Sequence, residues 1–143
     1  MKRPVIEVIS ENASEQDIAP VIAVLDQHAA LHMGEVEEKP DFAILARDPD
    51  TQAVVGGLYG MDSFGWAFVK YLAVVDEYRG QGLGSRLLAE AEAIARTRGY
   101  VGVWLDTFEF QAKPFYEKLG YTVFGELEGA PNVIPQYFLK KRF

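Results

Sequence analysis

Six residues open the chemistry of this chain: Arg79-Gly80-Gln81-Gly82-Leu83-Gly84. They lie between a run rich in β-formers and a long stretch with helical periodicity. Glycines at such a junction let the backbone turn sharply and approach a ligand with no Cβ in the way. The helix start behind them adds unpaired N–H groups and the positive end of a dipole, a combination that binds phosphate oxygens. A pyrophosphate is the natural guest. A Walker loop would end in Gly-Lys-Ser/Thr, and here the residues are Gly84-Ser85-Arg86. A dinucleotide fingerprint counted from Gly80 puts Ser85 where its third glycine belongs, and the run before it follows tight turns rather than opening a βαβ half. Both readings fail.

Two further groups of residues invite a chemical reading. Tyr116 falls in Phe115-Tyr116-Glu117-Lys118-Leu119-Gly120-Tyr121. A phenol there can hold or give a proton, or it can pack against Phe115 and Tyr121. His28 and His32 are spaced i, i+4, but Ala29 stands where a His-Glu-x-x-His zinc site has glutamate, so no metal is expected.

The elements that must position these residues follow from periodicity. Val5–Ile9 reads as a strand. Ser14-Glu15-Gln16-Asp17 is a capping signal before Ile18, Val21, Ile22 and Leu25, which predicts a helix to about Met33. Phe42–Arg47 and Ala53–Tyr59 read as strands joined by the turn residues Asp48-Pro49-Asp50-Thr51, with Gly60–Gly65 a further turn and Trp66–Val75 the longest strand. Leu83, Leu87, Leu88, Ala91, Ile94 and Ala95 define a helix over Gly82–Arg98, stopped by Gly99. A strand over Val101–Leu105 and a short helix over Lys113–Leu119, with Pro114 in its first turn, come next. Two strands, Thr122–Leu127 and Gln136–Lys140, close the chain as an antiparallel pair. Trp66–Val75, the long helix and Val101–Leu105 form a right-handed crossover, so those two strands should be parallel neighbours in a mixed α/β structure.

With these surroundings, Arg79-x-x-Gly82-x-Gly84 resembles the Arg/Gln-x-x-Gly-x-Gly/Ala loop of the GNAT acyl-CoA N-acyltransferase superfamily. The lead-in, Tyr71 to Arg79, is similar to that family's strand with its acidic, aromatic and basic approach. Ala112 followed by Phe115-Tyr116-Glu117-Lys118-Leu119-Gly120-Tyr121 resembles its second signature, and Tyr137-Phe138-Leu139-Lys140-Lys141 its terminal strand. The likeness is sharp over 66–121 and weaker before it.

The resemblance implies a single domain, 1–143, with a central mixed sheet of about seven strands flanked by helices and a splayed parallel strand pair that binds CoA. It implies an N-acetyltransferase that moves the acetyl group of acetyl-CoA to a primary amine of a small molecule or peptide. The alternative is a GNAT-fold acyl-CoA binder without catalysis, serving as a sensor or regulatory protein. The backbone of Leu72, Ala73 and Val74 would bond the pantetheine arm. Arg79, Gly80, Gln81, Gly82, Leu83, Gly84 and Ser85 would cradle the pyrophosphate. Tyr116 would be the general acid that protonates the leaving thiolate, a nearly balanced transfer between groups of pKa about 10 and about 8.5. Many members place asparagine after the fifth strand. This chain has none over Asp106–Gln111, so either Thr107 or Gln111 fills that position or it is empty. Asp62, Glu77, Asp106 and Glu109 all remain open as the base. The acceptor would meet the segments His28–Glu38 and Gly129–Pro135, and the family also admits a homodimer.

Composition sets the outer limits. The chain is 49% hydrophobic and 13% aromatic, too apolar for a disordered protein. A net charge of -7 argues against a nucleic-acid partner, and Glu35, Glu37 and Glu38 suit a cationic acceptor. The chain has no cysteine, hence no thiol nucleophile or thiolate metal site. Glu7 interrupts the apolar run after Lys2-Arg3, and no run approaches a membrane span, so neither a secretory leader nor a membrane partner is expected and the default is a cytoplasmic protein.

Overall fold

The computed structural model describes residues 2–34, 37–108 and 112–143. The chain divides into two compact units, 1–37 and 38–143.

In the first unit one helix, α1 (Glu15–His32), carries all the regular structure. The Asp17 carboxylate accepts hydrogen bonds from the Ser14 N–H (2.8 Å) and hydroxyl (3.0 Å), which fixes the start of the helix where the capping signal put it. The His28 and His32 rings lie 4.4 Å apart, side by side one turn along the helix. The strand expected over Val5–Ile9 does not form. Five β-prone residues make a strand only with a ladder partner; here no pairing involves them, and Val5 and Val8 are 93% and 78% exposed.

The second unit is a six-stranded sheet in the order β1-β2-β3-β4-β6-β5. The strands are β1 (Phe42–Arg47), β2 (Val54–Ser63), β3 (Trp66–Val74), β4 (Gly102–Thr107), β5 (Thr122–Leu127) and β6 (Gln136–Arg142). The mixed α/β class is as expected, with six strands instead of about seven because the first does not form. Only β3 and β4 run parallel; they are joined through a 3-10 turn (Asp76–Tyr78) and α2 (Leu83–Thr97), the crossover read from the sequence. Strand β2 runs through Gly60 to Ser63, where a longer turn was expected. Gly60 is needed there for space, since a Cβ would come within 2.2 Å of the Phe42 ring.

The core lies between the sheet and α2. Leu87, Leu88, Ala91 and Ala95, on one face of α2, are buried against Leu58, Val69, Val103, Leu105 and Leu139. The short helix α3 (Ala112–Lys118) joins the same core through Tyr116 and Phe115. Tyr121, 1% exposed, donates to Glu92 Oε2 at 3.1 Å, and Lys141 Nζ pairs with Glu92 Oε1 at 2.7 Å. Burial first, and then the Glu92 charge, push the Tyr121 phenol far above its ordinary range. The other sheet face carries Trp66, Phe68, Trp104, Phe124 and Phe138. Phe68 and Trp104 stack at 4.2 Å, and Trp66, Trp104, Phe124, Phe138 and Lys140 line a cavity of about 500 Å³. Among the described residues no helix is long and apolar enough to cross a membrane.

Candidate active site

The site begins with a fork. Strands β3 and β4 pair at only three positions, Ala67–Val103, Phe68–Trp104 and Val69–Leu105. Beyond Val69 and Leu105 they part. The cause is local: Tyr59 pairs with Tyr71 and Gly60 with Val69, so Lys70 is an extra residue on β3 opposite β2. That bulge adds twist and turns the rest of β3 away from β4. Leu72, Ala73 and Val74 keep their partners on β2, at Leu58, Gly57 and Gly56, and have no strand on the other side. A ligand with amide groups could complete the ladder there.

The glycine loop stands at the open end of the fork. Gly80 and Gly82 have φ of +78° and +77°, a left-handed backbone that side chains disfavour, and the space a Cβ would take at either is empty. The first backbone bond of α2 runs from Arg86 N–H to Gly82 C=O at 3.1 Å, so the N–H groups of Leu83, Gly84 and Ser85 have no acceptor within the helix. Gly84 has a different reason: a Cβ there would come within 3.3 Å of the Phe115 ring, so this glycine lets α2 and α3 approach. Arg79 is exposed, 3.3 Å from Asp76 through Nε, which also donates to Val74 O at 3.3 Å.

Asp48 ties a distant turn to this loop. Its carboxylate accepts from Asp50 N–H (2.8 Å), Thr51 N–H (3.0 Å) and the Tyr78 hydroxyl (2.9 Å). The Thr51 and Asp50 amides, then Tyr78, hold the Asp48 carboxyl below the usual range, and the Asp48 bond holds the Tyr78 phenol above its own.

Two cavities meet across the fork. One, about 570 Å³, is lined by Leu72, Ala73, Val74, the glycine loop with Arg79 and Ser85, and by Tyr78, Ala112 and Phe115. The other, about 560 Å³, is lined by Phe68 to Ala73 and by Leu105, Asp106, Thr107 and Phe108. Leu72, Ala73 and Tyr116 line both. Tyr116 is 8% exposed, with its ring 5.0 Å from that of Phe115 and 6.0 Å from that of Tyr121. Its carbonyl accepts from Leu119 and Tyr121 N–H, around Gly120 at φ +96°, which locks the helix end that presents it.

Of the expected site residues, Leu72, Ala73, Val74, Arg79, Gly80, Gly82, Leu83, Gly84, Ser85 and Tyr116 line the first cavity together. Gln81 is not among its lining; its side chain donates to Glu77 O at 3.3 Å. Gln111 and Glu109 lie outside the described residues. Asp62 pairs across the sheet with Ala67, where β3 and β4 are still joined, and accepts from Lys39 N–H. Tyr78, Phe115 and Ala112 were not anticipated as lining, although each sits inside a quoted motif.

An open parallel pair beside a glycine loop, with a buried tyrosine at the junction, is the arrangement that the acyltransferase resemblance implied. The acetyltransferase (GNAT) domain family matches residues 38–123, and the chain belongs to that family. It is 37% identical to the acetyltransferase Atu2258 of Agrobacterium fabrum, over 85% of this chain and 89% of that protein. It is 40% identical to the blasticidin-S acetyltransferase of Streptomyces morookaense, over 62% of this chain and 65% of that one. Among solved structures, an acetyltransferase from Bacillus cereus superposes with a TM-score of 0.82 at 29% identity, covering 96% of this chain and 98% of the other.

Proposed function

We propose that this chain transfers the acetyl group of acetyl-CoA directly to a primary amine of a small molecule. One observation carries the reading: the two cavities on either side of the β3–β4 fork share Tyr116. A donor lying along Leu72–Val74, with its pyrophosphate at the N–H groups of Leu83, Gly84 and Ser85, would bring its thioester to that junction. The acceptor enters from the Asp106 side. The unused ladder groups of β3 align the donor arm, the dipole of α2 holds its charge, and the Tyr116 phenol gives a proton to the departing sulfur. The reaction needs no covalent enzyme intermediate.

The test has two readouts. Acetyl-CoA should raise the melting temperature, and an amine panel should show acceptor-dependent release of free CoA thiol. A thermal shift with no thiol release from any amine would make the chain a binder rather than an enzyme. No shift at all would remove the donor site.

A further inference from the structure

Asp106 holds a position in the fork that no other described carboxylate shares. Leu105, which makes the last pair with Val69, faces the α2 core and is 1% exposed. Alternation along a strand turns the next side chain to the opposite face. Asp106 is therefore the first β4 residue past the vertex, on the face away from α2. It is half-buried and lines the second cavity. Phe138 pairs directly with it on β6, Trp104 precedes it on the same face, and Phe68 stacks on Trp104. Across the gap stands Tyr71, whose ring lies 6.2 Å from Tyr59. Among the described residues the Asp106 carboxylate takes part in no hydrogen bond or ion pair. Tyr116 reaches the same cavity from the core side.

We infer that Asp106 receives the acceptor's ammonium group and takes its proton, and that the acceptor is a monoamine carried on a flat or apolar body. This rests on the acetyltransferase reading of the same site. The rings of Phe68 and Tyr71, which line this cavity, offer flat surface to the body and quadrupoles to the cation. Asp106 is the single carboxylate among the described lining residues, and Lys70 lines the same cavity, so a second positive charge finds no partner there. Among the described residues, the titratable groups lining the cavities on this face besides Asp106 and Lys70 are Tyr71 on β3, Tyr116 on α3 and Lys140 on β6, and Tyr59, bonded to Asp41, has its ring beside that of Tyr71.

The protons balance as follows. Asp106 takes one from the ammonium and passes it to water. The free amine's lone pair forms the bond to the acetyl carbon, and Asp106 takes a second proton from the nitrogen. The carbon–sulfur bond then breaks, its electron pair leaves on sulfur, and Tyr116 protonates the thiolate. Asp106 passes this second proton to water as well and water reprotonates Tyr116, so both groups are restored and the products are the amide, free CoA and one proton released to solvent.

The experiment compares the wild type with Asp106→Asn on phenethylamine and spermidine, beside an acetyl-CoA thermal shift. The wild type should favour phenethylamine in kcat/KM. Asp106→Asn should keep the full donor shift and lose about a hundredfold or more in kcat/KM for phenethylamine. A variant within threefold of the wild type, or a wild type that favours spermidine or acetylates neither amine, would overturn the inference. Should the asparagine variant not fold, Tyr71→Leu carries the test: it should narrow the preference for phenethylamine over spermidine, and an unchanged ratio counts against the proposal. A wild type with no acetyl-CoA shift would fail the donor site itself, a result distinct from all of these.

Discussion

Tyr116 is packed between two rings, so Tyr116→Phe removes one hydroxyl and leaves the contacts with Phe115 and Tyr121 intact. We expect kcat to fall about ten- to a thousandfold, the ordinary scale for a general acid, while the acetyl-CoA thermal shift stays unchanged. Wild-type kcat would make Tyr116 structural. Tyr121, five residues on, has the opposite profile. Its hydroxyl is bonded to Glu92 in the core, so Tyr121→Phe should cost about 1–3 kcal/mol in chemical denaturation with little effect on kcat. Those two outcomes would separate the tyrosines of one motif into a site and a buttress. Asp106 illustrates the same limit. Its face follows from strand parity, but the sequence could not say that the pairing of β3 with β4 stops one residue before it.

At the scale of the element, the glycine loop and its supports were the most legible part. Periodicity in 83–95 and Gly99 place α2, and Gly80 and Gly82 do take the left-handed backbone that a sharp turn requires. Gly82→Ala should cost about 1 kcal/mol of stability and weaken acetyl-CoA binding, read by calorimetry and a donor titration. Gly84→Val is a poorer probe of phosphate contact, because its side chain would meet Phe115 before any ligand. The Asp48–Tyr78 link was illegible, since a contact across 30 residues leaves no local pattern. Asp48→Ala should free Tyr78 and weaken donor binding several-fold. Its pH dependence has a definite sign. The Asp48 pKa is depressed, so its stabilising effect is present above the unfolded value and lost only as pH falls through the lower folded one. The Tyr78 pKa is raised, so its share is present below the unfolded value and lost as pH rises through the higher folded one. Between about pH 5 and 9 the wild-type donor affinity should therefore not change on account of this link, and a donor titration across that range checks it.

For the molecule as a whole, the order of elements from β1 onward was readable because each carries its own period and its own stop. The run at Val5–Ile9 has the right composition and lacks a partner, which composition cannot report. Gly102 shows how tightly the sheet is fitted: a Cβ there would come within 2.2 Å of Lys141 O and 2.7 Å of the Trp66 ring. Gly102→Ala should lower stability by about 1–3 kcal/mol or more in a denaturant melt. The fork has a consequence of another kind. In most sheets the slowest-exchanging amides lie at the centre, whereas here the central pair is parted from Lys70 onward. Before the donor arrives, Leu72–Val74 should take up deuterium faster than the flanking stretches of β2 and β6, and afterwards they should be among the most protected. Tolerance to heat and protease would then track the local supply of acyl donor, increasing by RT ln(1 + [L]/Kd).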